Sequence, residues 1–419
     1  MTNHSSADVV TPLDWVDAAA LDHGDEPALV FADGAVSYRQ LLDAVASRRS
    51  SLPADHTDGS VVEVAVRADL ASIVDLLAIQ ASGGCPLPYL DRPFGVDGRP
   101  ADGAVLCVAT SGSSGGPKVV PLSMGNLAAS VEASRDRLGT TEEDRWLVPL
   151  PLHHIGGLSA LYRVFEAGAI AVVAGFDDRL PRLMERTSPS IASMVPTMVR
   201  RMLDRDPGPL ASVGHILIGG GPATAGLMAE AGAASVRLLP TYGMTEASSQ
   251  VATVAPGDRP VGVGKPLDGF EVAVDGDGRI TVDGPAVFDG YLGEPRRNAP
   301  LVTADLGEID LDGNLLVHGR VDEVAVSGGE NVFLPVVEEA IRGHDGVLDV
   351  TVVAVDDPEW GQAVCAAVVG ADPGAVADQL RDVLGRHEIP RRWVRLDAIP
   401  VLANGKPDRP AIRGLFTAR

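Results

Sequence analysis

Ala104-Val105-Leu106-Cys107-Val108-Ala109 is followed directly by Thr110-Ser111-Gly112-Ser113-Ser114-Gly115-Gly116-Pro117-Lys118. Six apolar residues bounded by a turn signal read as a buried strand. The next nine hold four hydroxyls, three glycines and a lysine. Such a loop cradles phosphate: glycines let the backbone approach, hydroxyls donate, and the ammonium adds charge. A plain Gly/Ser turn is the alternative for the same composition. A Walker A loop is not, because Pro117 stands where its second glycine belongs and Val119 replaces the Ser/Thr that would hold magnesium. Val119-Val120-Pro121-Leu122 reads as a further strand, and the helix begins only after Ser123, a good N-cap.

Two more apolar runs end the same way. His215-Ile216-Leu217-Ile218 precedes Gly219-Gly220-Gly221-Pro222, and Val236-Arg237-Leu238-Leu239 precedes Pro240-Thr241-Tyr242-Gly243-Met244-Thr245-Glu246. Ligands of α/β sheets bind beyond the carboxyl ends of the strands, so three such loops form one expected nucleotide cleft. Outward from these loops the α/β pattern continues. A strand over 28–31, a turn at Asp33-Gly34 and a helix over 38–52 open the chain, and a strand over 61–66 follows. No fixed-period repeat is visible. After Val302 the stretch 303–313 is turn-rich and acidic. Beyond it the pattern is self-contained, with a helix over 335–341, strands over 348–355 and 363–369, a helix over 375–386 and a short run over 393–396. The expected fold is therefore α/β: a large domain over 1–321 with ligand loops beyond strand ends, joined by a hinge to a small α+β domain over 322–419.

The 419 residues are enough for two or three domains at roughly 150 residues each, and 45% apolar with 22% charged residues is a globular balance. Lys plus Arg number 34 against 57 Asp plus Glu, a net charge of −23 that repels nucleic acid and anionic membrane. The first residues carry no secretory signal, no apolar run nears the roughly 20 residues of a membrane span, and Cys85, Cys107 and Cys365 have no metal or CxxC spacing. A cytoplasmic setting is expected. The sequence does not speak to oligomeric state. Lysine occurs only at Lys118, Lys265 and Lys406, so 31 of the 34 basic residues are arginine. All three lysines fall in glycine-containing motifs, where a compact ammonium does what a planar guanidinium cannot.

These motifs together resemble the adenylate-forming superfamily, which includes acyl-CoA ligases, peptide adenylation domains and luciferases. Besides the loops above, the resemblance rests on Gly262-Val263-Gly264-Lys265-Pro266, Asp305-Leu306-Gly307, Gly319-Arg320 and Asn404-Gly405-Lys406-Pro407-Asp408-Arg409. It implies that Thr110, Ser111, Gly112, Ser113, Ser114 and Lys118 hold the phosphates of ATP. Gly219, Gly220, Gly221, Thr241, Tyr242 and Gly243 would surround the adenine, with Gly243 also facing the acid. Thr245 would touch the α-phosphate, Glu246 would bind Mg²⁺, and Asp305 and Arg320 would hold the ribose. Taken alone, Glu246 reads as a solvated carboxylate. Lys406 matches the catalytic lysine, a movable cation that bridges carboxylate and phosphate as charge develops. Asp322 aligns with the hinge, and Gly328 and Gly329 would line the thiol's approach; a simple turn is the alternative there. Departures from the common pattern include Val119 after Lys118 and Ala304 before Asp305.

In Pro151-Leu152-His153-His154-Ile155-Gly156-Gly157, His154 matches the residue that gates the acyl pocket. Nine residues on, Arg163 interrupts an otherwise apolar helical stretch. It either snorkels to the surface or pairs with an anion in the pocket. The o-succinylbenzoate:CoA ligase branch has a similar His and Arg pair, and Ser327-Gly328-Gly329-Glu330-Asn331-Val332 is similar to that branch too. The resemblance thus implies an enzyme that joins a small aromatic or dicarboxylic acid to CoA, using ATP and Mg²⁺. The alternatives are an adenylation enzyme that loads a carrier protein, and a non-catalytic nucleotide-binding protein. Lys406, Thr245 and Glu246 argue against the last.

Overall fold

The computed structural model describes residues 10–53, 56, 59–96, 98–100, 103–110, 118–381, 383–400 and 407–417. Ser111, Gly112, Ser113, Ser114 and Lys406 lie outside them.

The centre of the large domain is a nine-stranded sheet. Its parallel middle runs, in spatial order, Leu238–Met244, His215–Ile218, Ile191–Met194, Arg145–Val148, Ile170–Val173 and Pro27–Val30. Strands buried on both faces need continuous apolar side chains, and Ile170–Val173 and His215–Ile218 have them. Ser249–Thr253 and Lys265–Pro266 extend one edge antiparallel, and Ala35–Ser37 closes the other. Two apolar clusters cover the sheet, one built on Trp146, Tyr38 and Phe165, the other on Met184, Ile216 and Leu210.

Ala104–Thr110 and Lys118–Ser123 form a separate antiparallel pair in which Thr110 faces Lys118. Ser123 caps the helix Met124–Leu138 as expected, accepting from the Asn126 amide in a capping box. The helix Pro12–His23, which carries Pro at its start and a Thr11 capping box, had no counterpart in the sequence reading. The stretch read as turn-rich is a strand, Leu301–Ile309, in a four-stranded antiparallel sheet with Glu271–Val274, Arg279–Asp283 and Leu315–Arg320. Thr303 and Gly307 alternate inward there, and the turn itself is confined to Asp310 and its neighbours, whose carboxylate accepts from the Asp312 and Asn314 amides. Likewise, Pro240-Thr241-Tyr242-Gly243-Met244 continues the strand from Leu238 instead of leaving it, because Ser249–Thr253 pairs along its outer edge.

The small domain has a five-stranded sheet of Val324–Ser327, Glu330–Phe333, Asp349–Asp357, Gly361–Val369 and Arg392–Leu396, with apolar clusters on each side. Helices Leu334–Arg342, Pro373–Leu380 and Arg409–Thr417 pack on it. Ser327 pairs with Glu330 across Gly328 and Gly329, whose φ of +64° and +87° make a two-residue hairpin that only glycine adopts without strain. Gly328 and Gly329 are therefore a turn in this conformation, and the indole of Trp360 lies against Gly328.

Candidate functional site

Because Arg145–Val148, Ile191–Met194, His215–Ile218 and Leu238–Met244 are adjacent and parallel, their carboxyl ends share one edge. The residues that follow them therefore lie together: His153 and His154, then Gly219 to Gly221, then Thr245 and Glu246 in the short turn Thr245–Ala247. Thr241, Tyr242 and Gly243 lie in the last of these strands. A Cβ on Gly243 would sit 1.8 Å from the Ser249 carbonyl oxygen, so glycine is what lets the neighbouring strand close on it. Thr241 is held from behind by a buried network. Gln250 Nε2 donates to its Oγ1 at 3.2 Å and to Thr253 at 2.8 Å, while Ser134 donates to Gln250 Oε1 at 2.6 Å.

On one flank, the Tyr242 hydroxyl donates to Asp305 Oδ2 at 2.7 Å. Burial, then the Asp305 charge, pushes the phenol far above its ordinary pKa, so it remains a donor. Arg320, opposite Asp305 in the strand pair, approaches its carboxylate at 3.6 Å and donates to Asp322 Oδ1 at 2.9 Å. The pair expected at the ribose and the residue expected at the hinge thus share one guanidinium.

On the other flank stands Lys118. Its Nζ is 3.3 Å from Glu294 Oε1 and 4.3 Å above the ring of Tyr291, whose hydroxyl donates to Glu246 Oε1 at 2.8 Å. Thr110 Oγ1 donates to the Lys118 carbonyl at 3.3 Å. No group of three or more metal-binding side chains occurs among the described residues. One carboxylate nevertheless suits Mg²⁺, a hard cation that keeps waters and takes its other oxygens from nucleotide phosphates. Glu246, an oxygen donor joined through Tyr291 to the Lys118 ammonium, fits that role.

The side where the acid is expected carries the helix Ile155–Ala167, which His154 precedes as its N-cap residue. The rings of His153 and His154 are 4.2 Å apart. Burial lowers the His153 pKa, with Asp91 opposing, so this imidazole favours the neutral form. Arg163 does not snorkel: it is 4% exposed because the helix is packed on nearly every side. Its Nη2 donates to Ser249 Oγ at 3.2 Å, its guanidinium lies 5.7 Å from the Trp146 ring, and its Nε is buried without a partner among the described residues. Burial alone pulls its pKa down to about 9. Ser159 also donates to Ser249 Oγ, at 2.9 Å. Ser249 has a φ of +116°, rare for a residue with a side chain. Ser249, Gln250, Tyr291 and Glu294 were not legible as site residues; a Ser-Ser pair after the acidic turn was the only hint of the first.

Lys406 lies outside the described residues; the described residues that follow it are anchored. The Asp408 amide donates to the Pro400 carbonyl at 2.8 Å, and Arg409 pairs with Glu338 at 3.3 Å and approaches Glu323 at 3.9 Å. Burial raises the Glu323 pKa, with Arg409 opposing. No helix among the described residues is long and apolar enough to cross a membrane.

A parallel sheet with glycine and acidic loops at one edge, a lysine hairpin beside it and a small second domain are features of an enzyme that binds a nucleotide as AMP. Residues 95–292 match the family of AMP-binding enzymes and residues 336–406 match the AMP-binding enzyme C-terminal domain. The chain belongs to that family. More narrowly, it is 34% identical over 362 residues to the 2-succinylbenzoate–CoA ligase of Bacillus licheniformis, spanning 80% of this chain and 74% of that one. To the ligase of the same name from Bacillus subtilis it is 33% identical over 329 residues, or 73% and 68% of the two chains. The solved structure of o-succinylbenzoate CoA synthetase from Bacillus subtilis, in complex with the acyl-adenylate intermediate OSB-AMP, superposes with a TM-score of 0.82 at 26% identity over 95% of this chain and 97% of that one. The same synthetase has been solved in complex with ATP and a magnesium ion, with a TM-score of 0.79 to this chain at 26% identity.

Proposed function

We propose that this chain is an ATP-dependent acid:CoA ligase whose acid is o-succinylbenzoate, an aromatic keto-diacid. A carboxylate oxygen of the acid attacks the α-phosphorus of ATP. The O–P bond forms as the bond to pyrophosphate breaks, giving acyl-AMP. The CoA thiol, losing its proton, then attacks the acyl carbon and AMP leaves, giving the thioester. Adenine sits between Gly219 to Gly221 and Thr241 to Gly243, the ribose on Asp305 and Arg320, the α-phosphate on Thr245, and the outer phosphates on residues 110–118. Glu246 would hold Mg²⁺, which would supply positive charge to offset that of the phosphates. Lys406 brings its ammonium to carboxylate and phosphate in the first step. The small domain, 322–419, turns about Asp322 for the second, presenting Gly328 and Gly329 to the thiol.

The observation that carries the choice of acid is Arg163, a buried guanidinium against Ser249 and Trp146 whose Nε has no partner among the described residues, on the helix that His154 precedes. A charge left so is strongly disfavoured until a carboxylate meets it, and a diacid has one to spare. The names of the relatives agree with this choice. A cytoplasmic setting belongs to the same proposal, supported by three free, buried cysteines.

The test supplies ATP, Mg²⁺ and CoA with o-succinylbenzoate, matched monoacids, fatty acids and amino acids, and follows AMP and thioester. Thioester with the diacid is expected. Pyrophosphate exchange without CoA thioester would move the acceptor to a carrier protein. No exchange with any aromatic diacid would overturn the choice of acid.

A further inference from the structure

Residues 285–297 tie together two parts of the site that are far apart in sequence. The Phe288 amide donates to the Glu246 carbonyl at 2.8 Å, and the Leu292 amide donates to the Val119 carbonyl at 2.9 Å. Asn126 Nδ2, from the helix after the lysine hairpin, donates to the carbonyls of Pro285 and Val287 at 2.8 and 3.1 Å. Between these anchors, Tyr291 touches both functional side chains: its hydroxyl donates to Glu246 Oε1 at 2.8 Å, and its ring lies under Lys118 Nζ at 4.3 Å. Its own orientation is set by Phe288, packed edge-on at 4.9 Å.

We propose that Tyr291 is a positioning residue for the nucleotide half of the reaction, orienting the Glu246 carboxylate for Mg²⁺ through its hydroxyl and seating the Lys118 ammonium on its ring. The chemistry follows from the two contacts. A carboxylate that accepts one fixed hydrogen bond has its remaining lone pairs aimed in one direction, as partners of metal ligands commonly arrange. An ammonium over an aromatic face is held without being neutralised, so it stays available to phosphate. Glu294, on the same segment, pairs with Lys118 at 3.3 Å and would compete with phosphate for its ammonium.

The inference rests on the reading of Glu246 and Lys118 given above, and the experiment separates the two. Tyr291→Phe keeps the ring and removes only the hydroxyl; Tyr291→Leu removes both. ATP binding is measured by calorimetry across a Mg²⁺ titration on the full chain, together with the melting temperature and the thioester half-reaction from supplied acyl-AMP. Tyr291→Phe should raise the Mg²⁺ concentration for half-maximal ATP binding by about tenfold. Melting temperature and the half-reaction should be unchanged. Tyr291→Leu should in addition weaken ATP binding when Mg²⁺ saturates. An unchanged Mg²⁺ dependence in Tyr291→Phe, with a normal parent, overturns the role of Tyr291 alone. A parent whose ATP binding ignores Mg²⁺ overturns the reading of Glu246 as well.

Discussion

Replacing Arg163 by methionine should make the free protein more stable and its use of a diacid worse. The side chain is 4% exposed, its Nε has no partner among the described residues, and burial is the whole cause of its lowered pKa. Each tenfold loss of proton affinity is about 1.4 kcal/mol, and a fall from the ordinary arginine range to about 9 spans three or more of them, so burial costs roughly 4–5 kcal/mol. Much of that is offset by the neighbours the guanidinium retains, and an apolar side chain of similar length leaves a net gain of about 1–3 kcal/mol. Because the folded pKa lies below the unfolded one, the unfolded chain binds more protons above pH 9 and the parent's stability rises with pH there. The penalty is fully present below pH 9, so the advantage of Arg163→Met should be largest near neutrality and shrink as pH climbs past 9. Against this gain, losing a charge-assisted contact worth about 1.5–3 kcal/mol should cut kcat/KM for the diacid roughly 10- to 150-fold, with a matched monoacid little affected. Denaturant unfolding at several pH values and kcat/KM for both acids decide the matter. A less stable variant whose diacid-to-monoacid ratio moves by under about threefold would refute the reasoning and make Arg163 a structural residue.

Lys406→Ala should lower adenylation by about 100-fold or more, and Lys406→Arg should not rescue it; the thioester half-reaction from supplied acyl-AMP should survive both changes. Asp305→Ala removes the acceptor of Tyr242 and one carboxylate of Arg320, and should raise the KM for ATP about tenfold with the CoA dependence unchanged. Gly243→Ala drives a Cβ into the Ser249 carbonyl, so thermal unfolding should report a loss of about 3 kcal/mol and ATP binding should weaken with it. Gly328→Ala should destabilise the small domain by about 1 kcal/mol through its positive φ, read as a lower melting temperature without a change in ATP binding.

What could be read from the chain without its fold is what depends on neighbours in sequence. Apolar runs of four to six residues are strands at His215–Ile218 and Lys118–Ser123, Ser123 caps its helix, and glycine-rich and acidic punctuation follows the strand ends. The order of those motifs was enough to expect an adenylate-forming enzyme. The reading failed where an element needs a partner to exist. Residues 303–309, in the stretch read as turn-rich, lie in the strand Leu301–Ile309, because two antiparallel neighbours supply its hydrogen bonds. The fate of Arg163 was open for the same reason. A largely apolar helix says that an arginine within it is exceptional, but only the packing of Trp146 and of Ser249, 86 residues away, leaves the charge buried. Tyr291 was silent altogether, since its meaning lies in Glu246, 45 residues earlier, and in the Lys118 hairpin, earlier still. Local propensity and hydrophobic period act over a few residues, so they determine the elements and the motifs they carry. Which side chains meet, and which charge is left unanswered, is decided by contacts between segments that come together only when the sheet is assembled.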